Sequence, residues 1–180
     1  MKIFNLSGIL IYSDDQPVKG ASLKSLNLFC PDFEKKEMTG TDLREAKLSS
    51  ASFYSSVLHH ANFRRAELEG GLLMNCQLDN ANLSEVMLYE VNAYRASFRG
   101  ADLTKGQFLG CEFTNADFTN ANLCGSFFGP DNILHKTRFC GAKLADARLS
   151  GAIFKDVVYN DETTFPVGFE PSANGFIKTE

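Results

Sequence analysis

The sequence predicts an all-β solenoid, a rod in which the chain winds through short strands and turns. A large apolar residue recurs at every fifth position from Leu23 to Phe128, and 21 of these 22 positions hold Leu, Phe or Met. The residue two places earlier is small: all 18 such positions between 41 and 126 hold Ala, Gly, Ser, Thr, Cys or Val. A period of five fits neither the 3.6-residue period of a helix nor the two-residue period of a continuous strand. Each small–large pair therefore predicts a very short strand that faces inward.

The two residues after each large apolar residue are predicted to turn the chain. Gly and Asn tolerate the backbone angles of tight bends, and they recur at these positions. The residues concerned are Gly70, Asn75, Asn80, Gly100, Gly110, Asn115, Asn120 and Gly125. Ala93 is the one small residue in the large-residue series, and it predicts a gap in the core or a locally shifted backbone.

The repeated motif is clearest in residues 61–65 (ANFRR), 81–85 (ANLSE), 101–105 (ADLTK) and 116–120 (ADFTN). It resembles the pentapeptide-repeat family over roughly residues 21–160. The resemblance implies a right-handed quadrilateral β-helix with about four pentapeptides per coil, so that residues about 20 apart stack in columns. On that basis the repeats would make about seven coils and a rod roughly 34 Å long.

The chain is expected to have three parts: an N-terminal cap in residues 1–20, the β-helix in residues 21–160 and a C-terminal cap in residues 161–180. A one-residue insertion is expected near residues 129–132, because the apolar series resumes at Leu134, out of step by one residue. Caps are needed because an open β-helix exposes strand edges and core residues at its ends. Three aromatic residues are expected to cover the last coil: Phe165, Phe169 and Phe176.

The net charge of −4 is concentrated at the C-terminal end. Residues 161–180 hold four acids and one Lys, whereas residues 21–160 hold 16 acids and 15 bases, a net charge of −1. Some relatives implied by the resemblance mimic DNA with a strongly acidic rod and bind type II topoisomerase (gyrase). This alternative function is disfavoured here, because a nearly neutral rod generates little long-range field. The rod also lacks the basic stripe needed for direct nucleic acid binding.

Cysteine usage and the absence of apolar runs indicate the compartment. No stretch reaches membrane-spanning length and the N-terminus lacks a signal peptide, so we expect no membrane association and a cytoplasmic protein. Cys76 and Cys111 fall at inward small sites, whereas Cys30, Cys124 and Cys140 are expected to project outward on columns that do not align. An odd number of unpaired thiols is typical of a reducing compartment.

Candidate catalytic and metal-binding groups are sparse. His59 and His60 are adjacent on one turn, but no Cys or carboxylate stands at ligand spacing along the chain. Ser55 and Ser56 lie near His59 only in sequence, and a serine nucleophile needs a positioned base. We therefore expect no catalytic residue, no metal and no cofactor, and a β-helical enzyme is the third and weakest alternative. Acids just before the large apolar residues are interpreted as outward surface groups: Asp42, Asp102, Glu112 and Asp117.

Outward apolar residues crowd onto two adjacent faces of the predicted rod. These eight residues are Tyr54, Leu72, Met74, Met87, Tyr89, Tyr94, Leu109 and Phe127. A contiguous apolar patch often marks a partner site, although outward aromatic residues also stack in ladders with no partner. The sequence thus predicts a non-enzymatic protein–protein interaction or scaffold protein. Its partner would be an unidentified protein or a second copy of the chain in a homodimer.

Overall fold

The computed structural model describes residues 2–4, 10–13 and 18–180, the first two segments as backbone only. These residues form the predicted all-β, right-handed quadrilateral β-helix. The strands are β1 (Lys2–Phe4), β2 (Leu10–Ser13), β3 (Glu67–Glu69), β4 (Met87–Tyr89), β5 (Gln107–Leu109), β6 (Phe127–Gly129), β7 (Ile153–Phe154), β8 (Val157–Tyr159) and β9 (Phe176–Lys178), with a short 3₁₀ helix at Ser172–Asn174. Strands β1 and β2 pair antiparallel. The rest of the N-terminal cap predicted for residues 1–20 lies largely outside the described residues.

Coils stack in parallel register, with partners 20 residues apart in the regular part of the rod. Strands β3 to β7 form a five-stranded parallel sheet along one face, in which Leu88 pairs with Leu68 and Phe108. The other three faces are built from single bridges such as Asn62 to Asn82. On three faces six pairings join seven rungs, and on the fourth the pairing of β8 with β9 adds a seventh, so the chain makes about six turns. The seven coils predicted from the sequence correspond to these seven rungs.

The backbone of each pentapeptide is bonded both to the next coil and within its own turn. The Phe53 N–H donates to the Leu72 carbonyl of the next coil at 2.8 Å, and the Ala61 N–H donates back to the Leu58 carbonyl at 3.0 Å. Between Leu58 and Ala61, His60 has a φ of 57°. The eight Gly and Asn turn residues predicted from the sequence likewise have φ between 57° and 68°. These left-handed positions explain the Gly and Asn preference, because neither residue is strongly penalised there.

The core consists of the two inward residues of each pentapeptide. All 22 large positions from 23 to 128 and all 18 small positions from 41 to 126 are buried, as the period of five predicts. Phe98 stacks on Phe118 with ring centroids 4.9 Å apart and planes 5° apart. Inward hydroxyls are satisfied by the backbone, as where Thr41 Oγ1 donates to the Val18 carbonyl at 2.8 Å.

The backbone is regular at Ala93, where the sequence predicted a shift or a gap. Ala93 is fully buried. The Leu73 N–H donates to the Asn92 carbonyl at 2.7 Å, and the Ala93 N–H donates to the Glu112 carbonyl at 2.8 Å. These are the distances of the other rungs, so the backbone does not shift. The bonds from coil to coil hold the rung in place whatever the volume of its inward side chain.

The predicted one-residue insertion with Leu134 as the next inward residue is wrong. Arg138 pairs with Glu112, 26 residues away rather than 20, so this coil contains six more residues than the others. Leu134 lies in this loop, is 77% exposed and has a φ of 68°, while Phe139 takes the inward place and is fully buried. We call residues 130–136 the corner loop.

The physical reason for this register is Thr137, two positions before Phe139. Thr137 fills the small inward site: its hydroxyl donates to the Gly129 carbonyl at 2.7 Å and accepts from the Cys111 N–H at 3.2 Å. A register with Leu134 inward would place Asn132 at this small site, where a larger polar side chain has to be buried.

The C-terminal segment closes the end of the rod with aromatic side chains. Phe176 packs on Phe154 with centroids 4.6 Å apart, and Phe165 packs edge-on against Tyr159 at 5.4 Å. Phe169 stacks on Phe165 at 5.4 Å. Strand β9 then adds a rung beyond β8 in parallel register. Apolar core residues of the last coil are thereby removed from water.

Candidate functional site

The five-stranded sheet presents two outward ladders, which together we call the sheet face. Every rung contributes one residue before and one residue after its inward residue, because side chains alternate along a strand. The first ladder is Glu67, Met87, Gln107, Phe127 and Ile153. The second ladder is Glu69, Tyr89, Leu109, Gly129 and Lys155. Apolar residues thus occupy the middle of the face, with carboxylates at one end and an ammonium group at the other.

Side-chain contacts hold the sheet face in one arrangement. The Tyr89 hydroxyl donates to Gln107 Oε1 at 3.3 Å. The Phe127 ring leans across the backbone of Gly129, where an added Cβ would come within 2.8 Å of the ring. Met87, Tyr89, Leu109 and Phe127 are all only partly exposed.

Ile153 is an apolar member of this face that sequence reasoning missed. It stands directly beside Phe127 in the next rung and is 58% exposed. The mistaken register at Leu134 had shifted all later residues onto the wrong columns. The coil period, once corrected for the corner loop, is the signal that finds it.

The adjacent face carries the other four predicted residues, and we call it the Tyr94 face. Tyr54, Met74 and Tyr94 occupy equivalent positions in three successive coils, and Leu72 lies on the same face with 39% exposure. The Arg95 guanidinium lies 5.0 Å from the centroid of the Tyr94 ring. The two predicted groups are therefore on neighbouring faces.

Polar residues separate these groups at the corner between the two faces. Exposed Glu90 follows Tyr89, and Asn92 begins the next rung. Asn92 Oδ1 accepts from the Tyr94 N–H at 3.1 Å. The structure therefore places four predicted residues together on each face and does not merge all eight into one uninterrupted apolar surface.

The corner loop stands on this same corner of the rod. Asp131 holds it: Oδ1 accepts from the N–H groups of Ile133 and His135 at 2.9 and 2.8 Å, and Oδ2 lies 3.0 Å from His135 Nδ1. Burial opposes the charge, but these donors and the imidazole outweigh it and lower the pKa of Asp131. The carboxylate also lies against Gly110, where an added Cβ would be 2.8 Å from Oδ2.

Beneath the loop is a groove of about 530 Å³. Glu90, Glu112 and Arg138 line it together with Leu134 and His135. Arg138 Nε is 3.4 Å from Glu112 Oε2, so these charges neutralise each other. The groove thus holds mixed charges and no single sign of charge to select a ligand.

Acidic and amide residues before the inward centres have a structural role. Asp102 Oδ1 accepts from the Thr104 N–H at 3.0 Å, and Asp117 Oδ1 accepts from the Thr119 N–H at 2.9 Å. Equivalent bonds to the N–H two residues later are made by Asp32, Asp42, Asn62, Asn82, Asn92, Glu112 and Asn122. These are Asx-type turns, which explains the Asn and Asp of the repeat without a catalytic role.

One polar face contains a histidine, a carboxylate and a serine close together. His59 Nε2 lies 3.1 Å from Gln77 Oε1, and His59 Nδ1 lies 4.0 Å from Asp79 Oδ2. Ser97 donates its hydroxyl to Asp79. The carboxylate therefore stands between serine and histidine, whereas a nucleophilic serine needs the imidazole next to it. Sequence reasoning missed Asp79 because it searched along the chain, and the next coil is 20 residues away.

Of the two serines considered from the sequence, Ser55 and Ser56, the second faces the core. Ser56 is fully buried and donates its hydroxyl to the Phe33 carbonyl. It is therefore committed to the backbone. In residues 18–180 no group of three or more His, Cys, Asp and Glu side chains is placed to hold a metal ion.

The five cysteines are free thiols. Cys76 and Cys111 face inward as predicted, and burial raises the pKa of each to about 12. Cys140, which was expected to project outward, is buried. The corrected register places it beside the C-terminal segment, with Sγ 3.9 Å from Thr179 Oγ1.

The fold and its surfaces define a β-solenoid repeat protein. The sequence profile described as pentapeptide repeats (8 copies) matches residues 37–73, 72–104, 94–129 and 133–158. These matches cover more than half of the chain, which therefore belongs to the pentapeptide-repeat family. No curated protein matches the chain. In the described part of the chain no helix is long and apolar enough to cross a membrane.

Solved structures similar to this chain include three other repeat proteins. HetL, a pentapeptide repeat protein involved in heterocyst differentiation regulation from the cyanobacterium Nostoc sp. strain PCC 7120, is 16% identical over 91% of this chain and 92% of its own, with a TM-score of 0.38. Rfr23 from the cyanobacterium Cyanothece 51142 is 22% identical over 81% and 88%, with a TM-score of 0.34. QnrB1, a plasmid-mediated fluoroquinolone resistance protein, is 13% identical over 90% and 86%, with a TM-score of 0.32. At identities this low, the three say nothing of what this chain binds.

Proposed function

We propose that this protein is a non-enzymatic interaction protein whose rod presents the sheet face and the Tyr94 face to a protein partner in the cytoplasm. The observation that carries the proposal is the apolar centre of the sheet face, where Met87, Tyr89, Leu109 and Phe127 stand in consecutive rungs. Ile153 extends this group by one rung. Aromatic residues and Met are enriched where protein interfaces have their anchors.

Rigidity supports the same proposal. The outward apolar residues of the sheet face stand on rungs that are hydrogen-bonded to both neighbouring coils. The Met87 N–H, for example, donates to the Ala66 carbonyl at 3.0 Å. A partner would dock on a preformed surface and the rod would lose little conformational freedom. The Ser56 hydroxyl is buried and the Ser97 hydroxyl donates to a carboxylate, so neither serine gives catalysis comparable support.

The test is the double variant Tyr89→Ser/Tyr94→Ser, with one substitution on each face. Neither residue is in the core, so the circular dichroism spectrum and melting temperature should stay close to those of the wild type. Capture of partner proteins from a native-host lysate, or self-association, should be lost. Val57→Ser, which removes an outward apolar side chain from a polar face, is the matched control and should behave as the wild type. Unchanged capture together with an unchanged size in solution would show that the tyrosines are only a surface ladder.

A further inference from the structure

We propose that the sheet face docks a second copy of this chain, with the two rods antiparallel and the two-fold axis crossing rung 107–109. This inference rests on the proposed function, because it assigns an occupant to part of the same recognition surface. A two-fold contact requires a surface that complements itself. The order of residues along the two ladders of the sheet face meets this requirement.

The symmetry fixes which rungs meet. A two-fold axis that runs along the strands, in the plane of the face, keeps each ladder opposite itself and reverses the order of its rungs. With the axis at rung 107–109, rung 87–89 of one copy faces rung 127–129 of the other. Rung 67–69 then faces residues 153–155, since each is two steps from the axis.

Apolar residues meet apolar residues in this register. Leu109 lies beside the axis and faces Leu109 of the second copy. Met87 faces Phe127, and Tyr89 faces Gly129. Because the Phe127 ring leans across Gly129, one aromatic surface meets both Met87 and Tyr89. Contacts of Met and Tyr with an aromatic ring are favourable beyond the area they bury.

Charge complementarity selects the antiparallel arrangement. Exposed Glu69 at one end of the face meets exposed Lys155 at the other, and the pair occurs twice in the dimer. Glu67 faces Ile153, but its carboxylate is already 3.6 Å from Lys47 Nζ of its own chain. Parallel rods would instead place Glu67 opposite Glu69, and like charges at an interface are unfavourable.

The contact area sets the strength to expect. Five rungs about 4.8 Å apart give a face roughly 20 Å long. A face of this length buries less surface than the roughly 800 Å² per partner of a standard protein interface. The dimer should therefore be weak, with a dissociation constant on the order of micromolar. Sedimentation equilibrium from about 1 to 200 μM covers this range.

Charge reversal in the full chain tests the pairing. Glu69→Lys and Lys155→Glu should each weaken the dimer by about tenfold, because each turns two attractive contacts into repulsive ones. The combined variant Glu69→Lys/Lys155→Glu should restore the wild-type dissociation constant. Lys143→Glu makes the same charge change on another face and should have no effect. Two weakened single variants with no restoration in the combined variant would overturn the antiparallel register.

Cross-linking tests the position of the axis. In a Cys30→Ser/Cys124→Ser background, Leu109→Cys should form a disulfide between copies under mild oxidation, because each residue 109 meets its own counterpart. Thr119→Cys, on another face, should not. A dimer that fails to cross-link through residue 109 overturns the proposed axis. A chain that stays monomeric up to 200 μM overturns the dimer altogether, yet leaves the proposed function standing if Tyr89→Ser/Tyr94→Ser still abolishes partner capture.

Discussion

Single side chains in this protein work mainly by satisfying the backbone of the turns. Asn82 Oδ1 accepts from both the N–H and the hydroxyl of Ser84, and Asp117 accepts from the Thr119 N–H while its second oxygen pairs with Arg99 at 3.1 Å. These bonds tie an outward carboxylate or amide to its own turn. An acidic residue just before the inward residue of a repeat is therefore weak evidence for a catalytic role, even where several such acids line one face.

Phe98→Ala should destabilise the fold by about 3–5 kcal/mol, the usual cost of truncating a large core aromatic residue. Phe98 is fully buried, stacks on Phe118 and packs edge-on against Phe113 at 5.9 Å. Chemical denaturation followed by circular dichroism measures the change. Phe29→Ala is the matched control, because Phe29 is 80% exposed and should cost little. Equal effects of the two substitutions would contradict the inward assignment of Phe98.

Asp131 should make the corner loop sensitive to acid. Its folded pKa is lowered below the ordinary value of 3.8, so the carboxylate stabilises the folded loop at pH above that value. This contribution is lost as the pH falls through the lowered pKa. The stability advantage of the wild type over Asp131→Asn should therefore be complete above about pH 5 and shrink below about pH 3.8.

The amide resonances of Ile133 and His135 report this directly, because both N–H groups donate to Asp131. They should shift with acid in the wild type and not in Asp131→Asn. Asn132→Ala, next to Asp131 in the same loop, should keep the wild-type titration. Resonances that titrate identically in all three proteins would mean that another group controls the loop.

At the scale of elements, the corner loop is the main departure from a regular rod. Three fixed points hold it: Asp131 against Gly110, the turn from Asp131 to His135, and Thr137 in the small inward site. Its two large apolar residues, Ile133 and Leu134, are 66% and 77% exposed. The rod continues in register on the other side because every column is displaced by the same six residues.

Leu134→Ala and Leu144→Ala should differ sharply in stability. Leu134 is exposed in the loop, so its truncation should change the free energy of unfolding by no more than about 0.5 kcal/mol. Leu144 is fully buried, and its truncation should cost about 2–5 kcal/mol. Thermal or urea unfolding of the two variants makes the comparison. A large loss from Leu134→Ala would favour the one-residue insertion over the loop.

At the scale of the whole molecule, opposite charges are neutralised between neighbouring coils. Glu85 pairs with Arg64 and Arg65 at 2.8 Å each, and Arg138 pairs with Glu112. Exposed pairs of this kind add little stability. Their consequence is a rod with a net charge of only −1 over residues 21–160 and little long-range field.

The protein should therefore not inhibit DNA supercoiling by gyrase. A DNA mimic needs an acidic stripe to compete for a surface that binds phosphates, and this rod intersperses bases with its acids. A supercoiling assay with increasing protein at low and moderate salt measures the effect. Inhibition that weakens as salt rises would favour the DNA-mimic alternative over a partner bound through apolar contacts.

Local patterning determined the regular part of the fold. Each pentapeptide carries its own inward pair, its own turn and its own left-handed residue, so the sequence alone places Phe98 in the core and Gly100 in a turn. The same alternation places Tyr89 and Tyr94 outward. The fold of a repeat protein can be predicted from its sequence in this way because each repeat contacts only its neighbours.

Only the tertiary structure decided what depends on contacts between coils. The register after Phe128 follows from two contacts: Thr137 bonds to Gly129, and Asp131 lies against Gly110. The second contact joins residues of different coils, so the spacing along the chain does not predict it. That register in turn places Ile153 beside Phe127 and buries Cys140. The five-residue period does not predict the register after a loop that leaves the rod. The length of such a loop depends on where the next inward residue fits between the stacked coils, and the sequence pattern does not show this.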